Sequence, residues 1–241
     1  MEGVELAARF ALAPNSLSYC GTPAFRGAFS DFLDLKTAAA AGALESSLKK
    51  FTAHYAYLCL IAEASGKSPF DREVAEAFWL GNGLLWEVKK KELASLISDE
   101  FCGTGMLSHG RAMKLADELP DGFLPHHSFH VLYLHTISGA IEPSLRNADL
   151  CRVSWGRVIG VDGNMVAVKS QKLIRVNGKL ALVEQKRKWK ASCAGIRLLE
   201  GARRGDFVAS HWGFAVMKLS QAQAARLEKF TLQNLKAANR L

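Results

Sequence analysis

Cys151-Arg152-Val153-Ser154-Trp155-Gly156-Arg157-Val158-Ile159-Gly160-Val161-Asp162-Gly163 opens the part of the chain that decides the fold. That part closes at Gly205-Asp206-Phe207-Val208-Ala209-Ser210-His211-Trp212-Gly213-Phe214-Ala215-Val216-Met217-Lys218-Leu219. Between the two ends, short β-branched runs are broken by Asp162-Gly163 and Asn177-Gly178, dipeptides that tolerate the positive φ of tight hairpin turns. The runs predict strands over 153–161, 165–169, 173–176, 179–184, 207–210 and 214–219, with the basic residues 185–190 extending the fourth as an edge. Charges on an edge strand often serve only to deter aggregation. The pattern is that of a small antiparallel barrel. A thiol starts its first strand and an imidazole sits late in its last-but-one strand. If the barrel closes, Cys151 and His211 meet at one rim, and a soft sulfur beside an imidazole nitrogen makes a partial site for a transition metal.

Outward from this stretch, Ser220 caps a terminal helix with apolar positions Ala224, Leu227, Phe230, Leu232 and Leu235. Upstream, residues 141–150 read as a connector, with a boundary near Asn147. The fold class expected is α+β: a helical module over 1–147, ending in a His-rich strand, then an OB-like antiparallel β-barrel with a C-terminal helix over 148–241. Charge divides at the same place. Residues 151–241 carry 18 Lys+Arg against 5 Asp+Glu, whereas 1–150 carry 13 against 18. The basic half suits an acidic protein, an anionic ligand or nucleic acid; equally, the two halves complement each other.

In the front half, helical spacing predicts helices over 4–12, 24–35 and 38–64, the last with a stripe of Leu44, Leu48, Phe51, Tyr55, Leu58 and Ala62. His54 reads as a helix-surface or inter-helix residue. Ser68 reads as the cap of a helix that Gly81 and Gly83 break. Cys20 lies in a turn-rich loop as a possible ligand, although a lone cysteine is more often a small buried hydrophobe. Four of the seven histidines fall within 126–135, after Pro125. Proline before and aromatic residues after favour a strand. As strand or helix, His126 and His130 share a face, which suits metal binding or acid–base work. No glutamate follows at the spacing of a zinc-protease helix.

Composition narrows the class. At 49% hydrophobic and 22% charged, the chain is an ordinary globular sequence. No apolar run approaches membrane-spanning length, so no membrane partner is expected. Met1-Glu2-Gly3-Val4-Glu5 lacks a basic start followed by an apolar core, so no secretion signal is expected. Five cysteines in no disulfide pattern predict a reducing cytoplasm.

Residues 151–238 resemble the HypC-type chaperones of [NiFe]-hydrogenase maturation. The resemblance rests on Cys151, Gly156-Arg157-Val158, Asp162-Gly163, Gly205-Asp206-Phe207-Val208, His211, Gly213-Phe214-Ala215 and Lys218-Leu219, which match in order. It departs at Trp155, where that family usually has proline, at the internal rather than near-terminal Cys151, and in the long hairpin around Asn177-Gly178. The whole chain is similar to members of an uncharacterised prokaryotic family that joins a helical module to such a barrel. The resemblance implies that Cys151 and His211 handle an iron centre with carbonyl and cyanide ligands, or nickel. It also implies a protein partner such as a metalloenzyme subunit or another maturation factor.

Two ligands hold a metal weakly, so Cys20, His126, His127 and His130, or groups from a partner, are candidates to complete the shell. Arg152 and Arg157 are near enough in sequence to favour a thiolate. A carrier reading competes with two others. One is a single-stranded nucleic-acid binder using Trp155, Trp189, Trp212 and the basic residues. The other is an enzyme with Cys151 as nucleophile and His211 as base.

Overall fold

The computed structural model describes residues 2–134 and 141–240. His135, the last of the clustered histidines, lies outside the described residues. The chain is α+β: helices, then a mostly antiparallel five-stranded sheet, then a terminal helix. The helices are α1 (Gly3–Ser16), α2 (Phe25–Leu35), α3 (Ala38–Leu48), α4 (Thr52–Ser65) and α5 (Arg72–Leu80). A 3-10 turn (Gly83–Trp86) leads to α6 (Lys90–Ser95), a π-helical turn (Leu96–Glu100), α7 (Phe101–Gly103) and α8 (His109–Asp117). α9 (His127–Phe129) runs into a second π-helical turn (His130–Leu134), and α10 (Leu145–Cys151) precedes the sheet. No helix among the described residues is long and apolar enough to cross a membrane.

Three local differences from the sequence reading bear on the site. The helix expected over 38–64 breaks at residues 49–51, so α4 starts a new phase. Its buried stripe is His54, Tyr57, Leu58 and Ile61, while Tyr55 turns outward. Ser68 caps nothing. Asp71 stands at the N-cap of α5 and accepts the Ser68 N–H at 3.0 Å. The His-rich segment is helical, not a strand. Pro125 restrains only the residue before it, and Val131 is the one β-branched residue in 126–134. Phe129 and Tyr133, at i and i+4, pack on each other and on Phe123. That burial outweighs weak local strand preference.

The sheet is ordered β1-β2-β3-β7-β6, with β6 (Phe207–His211) pairing back to β1 (Ser154–Asp162). β2 (Met165–Val176) and β3 (Lys179–Lys190) form one long hairpin through Asn177-Gly178, both at positive φ. β4 (Ser192–Cys193) and β5 (Ile196–Arg197) make a small separate ladder. β7 (Phe214–Leu219) is antiparallel to β6, and its contact with β3 is the single parallel rung Lys190↔Phe214. Inside the sheet Val158, Val166, Val168, Trp189, Val208 and Ala215 pack together.

A larger core joins the helices to the sheet. It includes Phe10, Tyr57, Phe78 and Trp79 from the front half, Val153 just before β1, Trp155, Ala209 and Val216 from the sheet, and Leu227 and Phe230 from α11 (Gln221–Ala238). α11 begins with a capping box between Ser220 and Gln223. At Gly81, φ is 81° and an added Cβ would lie 2.2 Å from the Phe230 ring. Glycine therefore both ends α5 and lets α11 seat Phe230, whose burial stabilises by about 2–3 kcal/mol. This seam fixes Trp79 of α5 against the rim of the sheet.

Candidate metal centre

Cys151 and His211 come together through backbone events at two element ends. Cys151 is the last residue of α10 rather than the first of a strand, which starts at Ser154. His211 ends β6, and the next two residues, Trp212 and Gly213, both have positive φ, 52° and 80°. Such a turn matches the twist of a hairpin, but a bulky residue there is strained and must be held by its surroundings. Trp212 is held: its N–H donates to the Leu150 carbonyl at 2.8 Å, and its ring packs on Tyr19 with centroids 4.6 Å apart. The bond to Leu150 ties the β6–β7 turn to the residue preceding Cys151.

The orientation of His211 has its cause in α1. Pro14 sits in the last turn of that helix and has no N–H, so the carbonyl of Phe10, four residues earlier, lacks its usual helical donor. His211 Nδ1–H donates to that carbonyl at 2.7 Å. This sets the tautomer: the lone pair lies on Nε2, which is buried and has no hydrogen-bond partner. His127 opens α9. Its Nε2–H donates to the Cys151 carbonyl at 2.9 Å and lies 3.9 Å from Cys151 Sγ, while its Nδ1 is buried and unpartnered. The segment carrying it is pinned by Asn234 of α11, which bonds both backbone groups of Leu124 and the Ser128 hydroxyl.

One potential ligand atom from each of His127, Cys151 and His211 lies within 4.8 Å of the other two. A four-coordinate ion with bonds of about 2.1–2.3 Å holds its ligand atoms about 3.5 Å apart. The triangle thus needs a contraction of about an ångström at its longest edge. The Trp79 ring lies against it, with centroids 4.6 Å from His127 and 5.4 Å from His211.

The electrostatics are those of a dry, uncharged pocket. Burial holds His211 down at about 4, with the backbone of Phe10 and, more distantly than a hydrogen bond, of Cys151 opposing. Burial first, then the neighbouring His211 and His130, holds His127 well below the ordinary histidine range. Burial pushes the Cys151 thiol well above the ordinary range, with Cys20 adding and Trp212 opposing. At neutral pH the triangle therefore presents two neutral imidazoles and a protonated thiol. Neither arginine expected to favour the thiolate does so. Arg152 turns to Asp149 at 3.0 Å, and Arg157 bonds the Gly205 carbonyl and covers Phe207. The high thiol range also counts against the nucleophile reading, which needs a ready thiolate.

A cavity of about 430 Å³ opens from the triangle. His130 and Cys20 line it. His130 Nδ1 is 3.5 Å from the Tyr57 hydroxyl, and its ring centroid is 6.4 Å from that of His127. Cys20 is exposed as a residue, yet protein crowds its thiol and pushes it up to about 12. His126 is absent from the lining. Its Nδ1 is engaged by Ser128 at 2.8 Å, where it caps α9. His54 was not among the expected ligands, yet it lines the cavity, buried, with both ring nitrogens unpartnered. Its signal lay in the spacing to Tyr57, Leu58 and Ile61, hidden because 38–64 reads as one continuous helix. The three tryptophans of the nucleic-acid reading, Trp155, Trp189 and Trp212, are all buried and offer no stacking platform.

No curated protein and no solved structure matches this chain. One family does match, over residues 1–241, and the chain belongs to it: the family of unknown function DUF6390.

Proposed function

We propose that this protein is a metal carrier that serves metallocentre assembly, holding one transition-metal ion through Cys151 Sγ and His211 Nε2, with His127 as third ligand. The observation that carries the proposal is the His211 Nε2 lone pair, buried, unpartnered and fixed in tautomer beside a buried thiol. An unsatisfied buried polar atom costs about 1–3 kcal/mol, and a cation at the triangle would relieve that cost. Thiolate and imidazole favour a softer ion such as iron(II) or nickel(II) over magnesium or calcium. His127 joins through Nε2 only by releasing the Cys151 carbonyl, so it is the weakest of the three. A three-ligand shell beside a cavity leaves a position open, which suits a cargo that must be handed on.

The HypC-like reading of residues 151–238, with an OB-like barrel, an iron or nickel cargo, and a metalloenzyme subunit or maturation factor as recipient, is consistent with this arrangement. Five unpaired cysteines suit the reducing cytoplasm. Binding must displace the thiol proton, so affinity rises with pH. The test is anaerobic titration with iron(II), and separately nickel(II), followed by thiolate-to-metal absorption and metal content. One equivalent is expected in the wild type, with loss in Cys151→Ser and His211→Ala and weaker binding in His127→Ala. Unchanged binding in the first two variants would sink the proposal.

A further inference from the structure

β3 has a partner along its whole length on one side only. Its register with β2 runs unbroken from Val176↔Lys179 to Met165↔Lys190. On the other side it is closed at its two ends. Leu180 N–H donates to Asn239 Oδ1 at 2.7 Å, and the Leu180 carbonyl accepts from Asn239 Nδ2 at 2.8 Å. Ten residues on, Lys190 N–H donates to the Gly213 carbonyl at 3.0 Å. Backbone groups in an antiparallel pair point alternately toward and away from the partner strand. Counted from either closed end, the same four residues point away from β2: Leu182, Glu184, Lys186 and Lys188. Among the described residues none of the four has a backbone hydrogen bond on that edge.

The edge carries exposed Lys186 and Lys188 beside one acid, Glu184, which Lys169 already pairs at 3.2 Å, and further cations stand on the adjoining face. A groove of about 640 Å³ between α10 and the β2–β3 hairpin is lined by Arg146, Lys172, Lys186, Arg187 and Lys188. Its acid, Asp149, is engaged by Arg152 and Arg187. Among the described residues Arg146, Lys172, Lys186 and Lys188 form no ion pair. Lys186 also faces Lys169 directly across the ladder, a like-charge pair that destabilises a sheet.

We infer that residues 182–188 of β3 are a docking edge for an extended acidic segment of a partner protein, which adds a strand to the sheet. The free N–H and C=O groups supply the ladder, and acidic side chains two residues apart on the incoming strand meet Lys186 and Lys188 on one face. A second copy of this edge would bring lysines against lysines. A nucleic acid has phosphates for the lysines but no peptide groups for the ladder. The inference does not depend on the metal.

The test uses the full chain and a fluorescein-labelled, end-capped peptide of alternating Glu and Val. A Lys/Val peptide and a single-stranded oligonucleotide of equal charge serve as comparison probes. Saturable binding is expected for the Glu/Val peptide alone, with amide exchange at Leu182, Glu184, Lys186 and Lys188 slowed by about tenfold or more. Lys186→Glu with Lys188→Glu should weaken binding by at least about tenfold. Glu184→Pro deletes one outward N–H, leaves the β2–β3 ladder intact and removes a negative charge. It should nevertheless weaken binding, which charge attraction alone does not predict. If that variant does not fold, the double lysine variant and the exchange pattern carry the test. The inference is overturned if the Glu/Val peptide does not saturate, if its binding leaves the four amides unprotected, if folded Glu184→Pro binds as wild type, or if the oligonucleotide binds as tightly.

Discussion

Two buried polar clusters diverge from the end of α10, and they are built on opposite principles. Asp149 and Arg152 point one way, into an ionic network. Asp149 accepts from Arg152 at 3.0 Å, from the Leu173 N–H at 2.8 Å, and pairs with Arg187 at 3.0 Å. Cys151, between them in sequence, points the other way, toward His127 and His211. The first cluster carries charge, one carboxylate shared by two guanidiniums, although Arg152 Nε and Nη1 lack partners. The second carries no charge and leaves lone pairs unused. Charge held in ion pairs ties a fold together; neutral donors left open are suited to an ion from outside.

The largest effect expected follows from removing the shared carboxylate. Asp149→Ala leaves two arginines uncompensated and should cost about 3–5 kcal/mol, read by urea unfolding. If the loss is under about 1 kcal/mol, the network is not what anchors α10 to the hairpin.

Acid should act on the other cluster. The folded-state value for His211, about 4, lies below its unfolded value of 6.5. The unfolded chain therefore takes up the proton first. Stability is full above about pH 6.5 and falls as the pH drops toward 4, by about 3 kcal/mol for this residue. His54 and His126, each held at about 3 by burial, steepen the same decline. Unfolding titrations from pH 7 to pH 4 should show this slope, and His211→Gln should flatten it.

Metal should tip the same balance in the opposite direction. At a free metal concentration of about 100 times Kd, stabilisation of about 2.7 kcal/mol is expected. It should be lost in Cys151→Ser and kept in a conservative Arg187→Lys variant, since the ionic cluster takes no part. The smallest effect belongs to Pro14→Ala, which restores a helical N–H to compete for the Phe10 carbonyl. Metal affinity should fall by roughly tenfold, the usual loss when a ligand histidine's orienting bond is weakened, while the helix itself gains stability. Unchanged affinity would show that His211 is held by packing alone.

Much of the architecture could be read along the chain. β-Branched runs and the Asn177-Gly178 turn announce the hairpin, although the runs 165–169 and 173–176 join into the one strand β2, and Ser220 announces α11, because these signals are local. Where one helix ends and the next begins inside 38–64 was not legible, since no proline or glycine marks residues 49–51. Read as one helix, the stretch keeps His54 off the buried stripe. The His-rich segment differs from its strand reading for a related reason: its helix is stabilised by Phe129 and Tyr133 packing on Phe123, outside the segment, which local propensity does not register.

The sequence by itself determined that a thiol and an imidazole stand near the ends of a β-rich half, that helices precede it, and that its surface is basic. Only the tertiary structure decided which groups converge: His127 rather than His126 beside Cys151, Arg152 turned away, and β3 left with one bare edge. The physical reason is that convergence depends on long-range contacts. A proline in α1 frees a carbonyl for His211, and a strained turn in the sheet bonds the end of α10. Neither partner carries a mark of the other in its own stretch of chain.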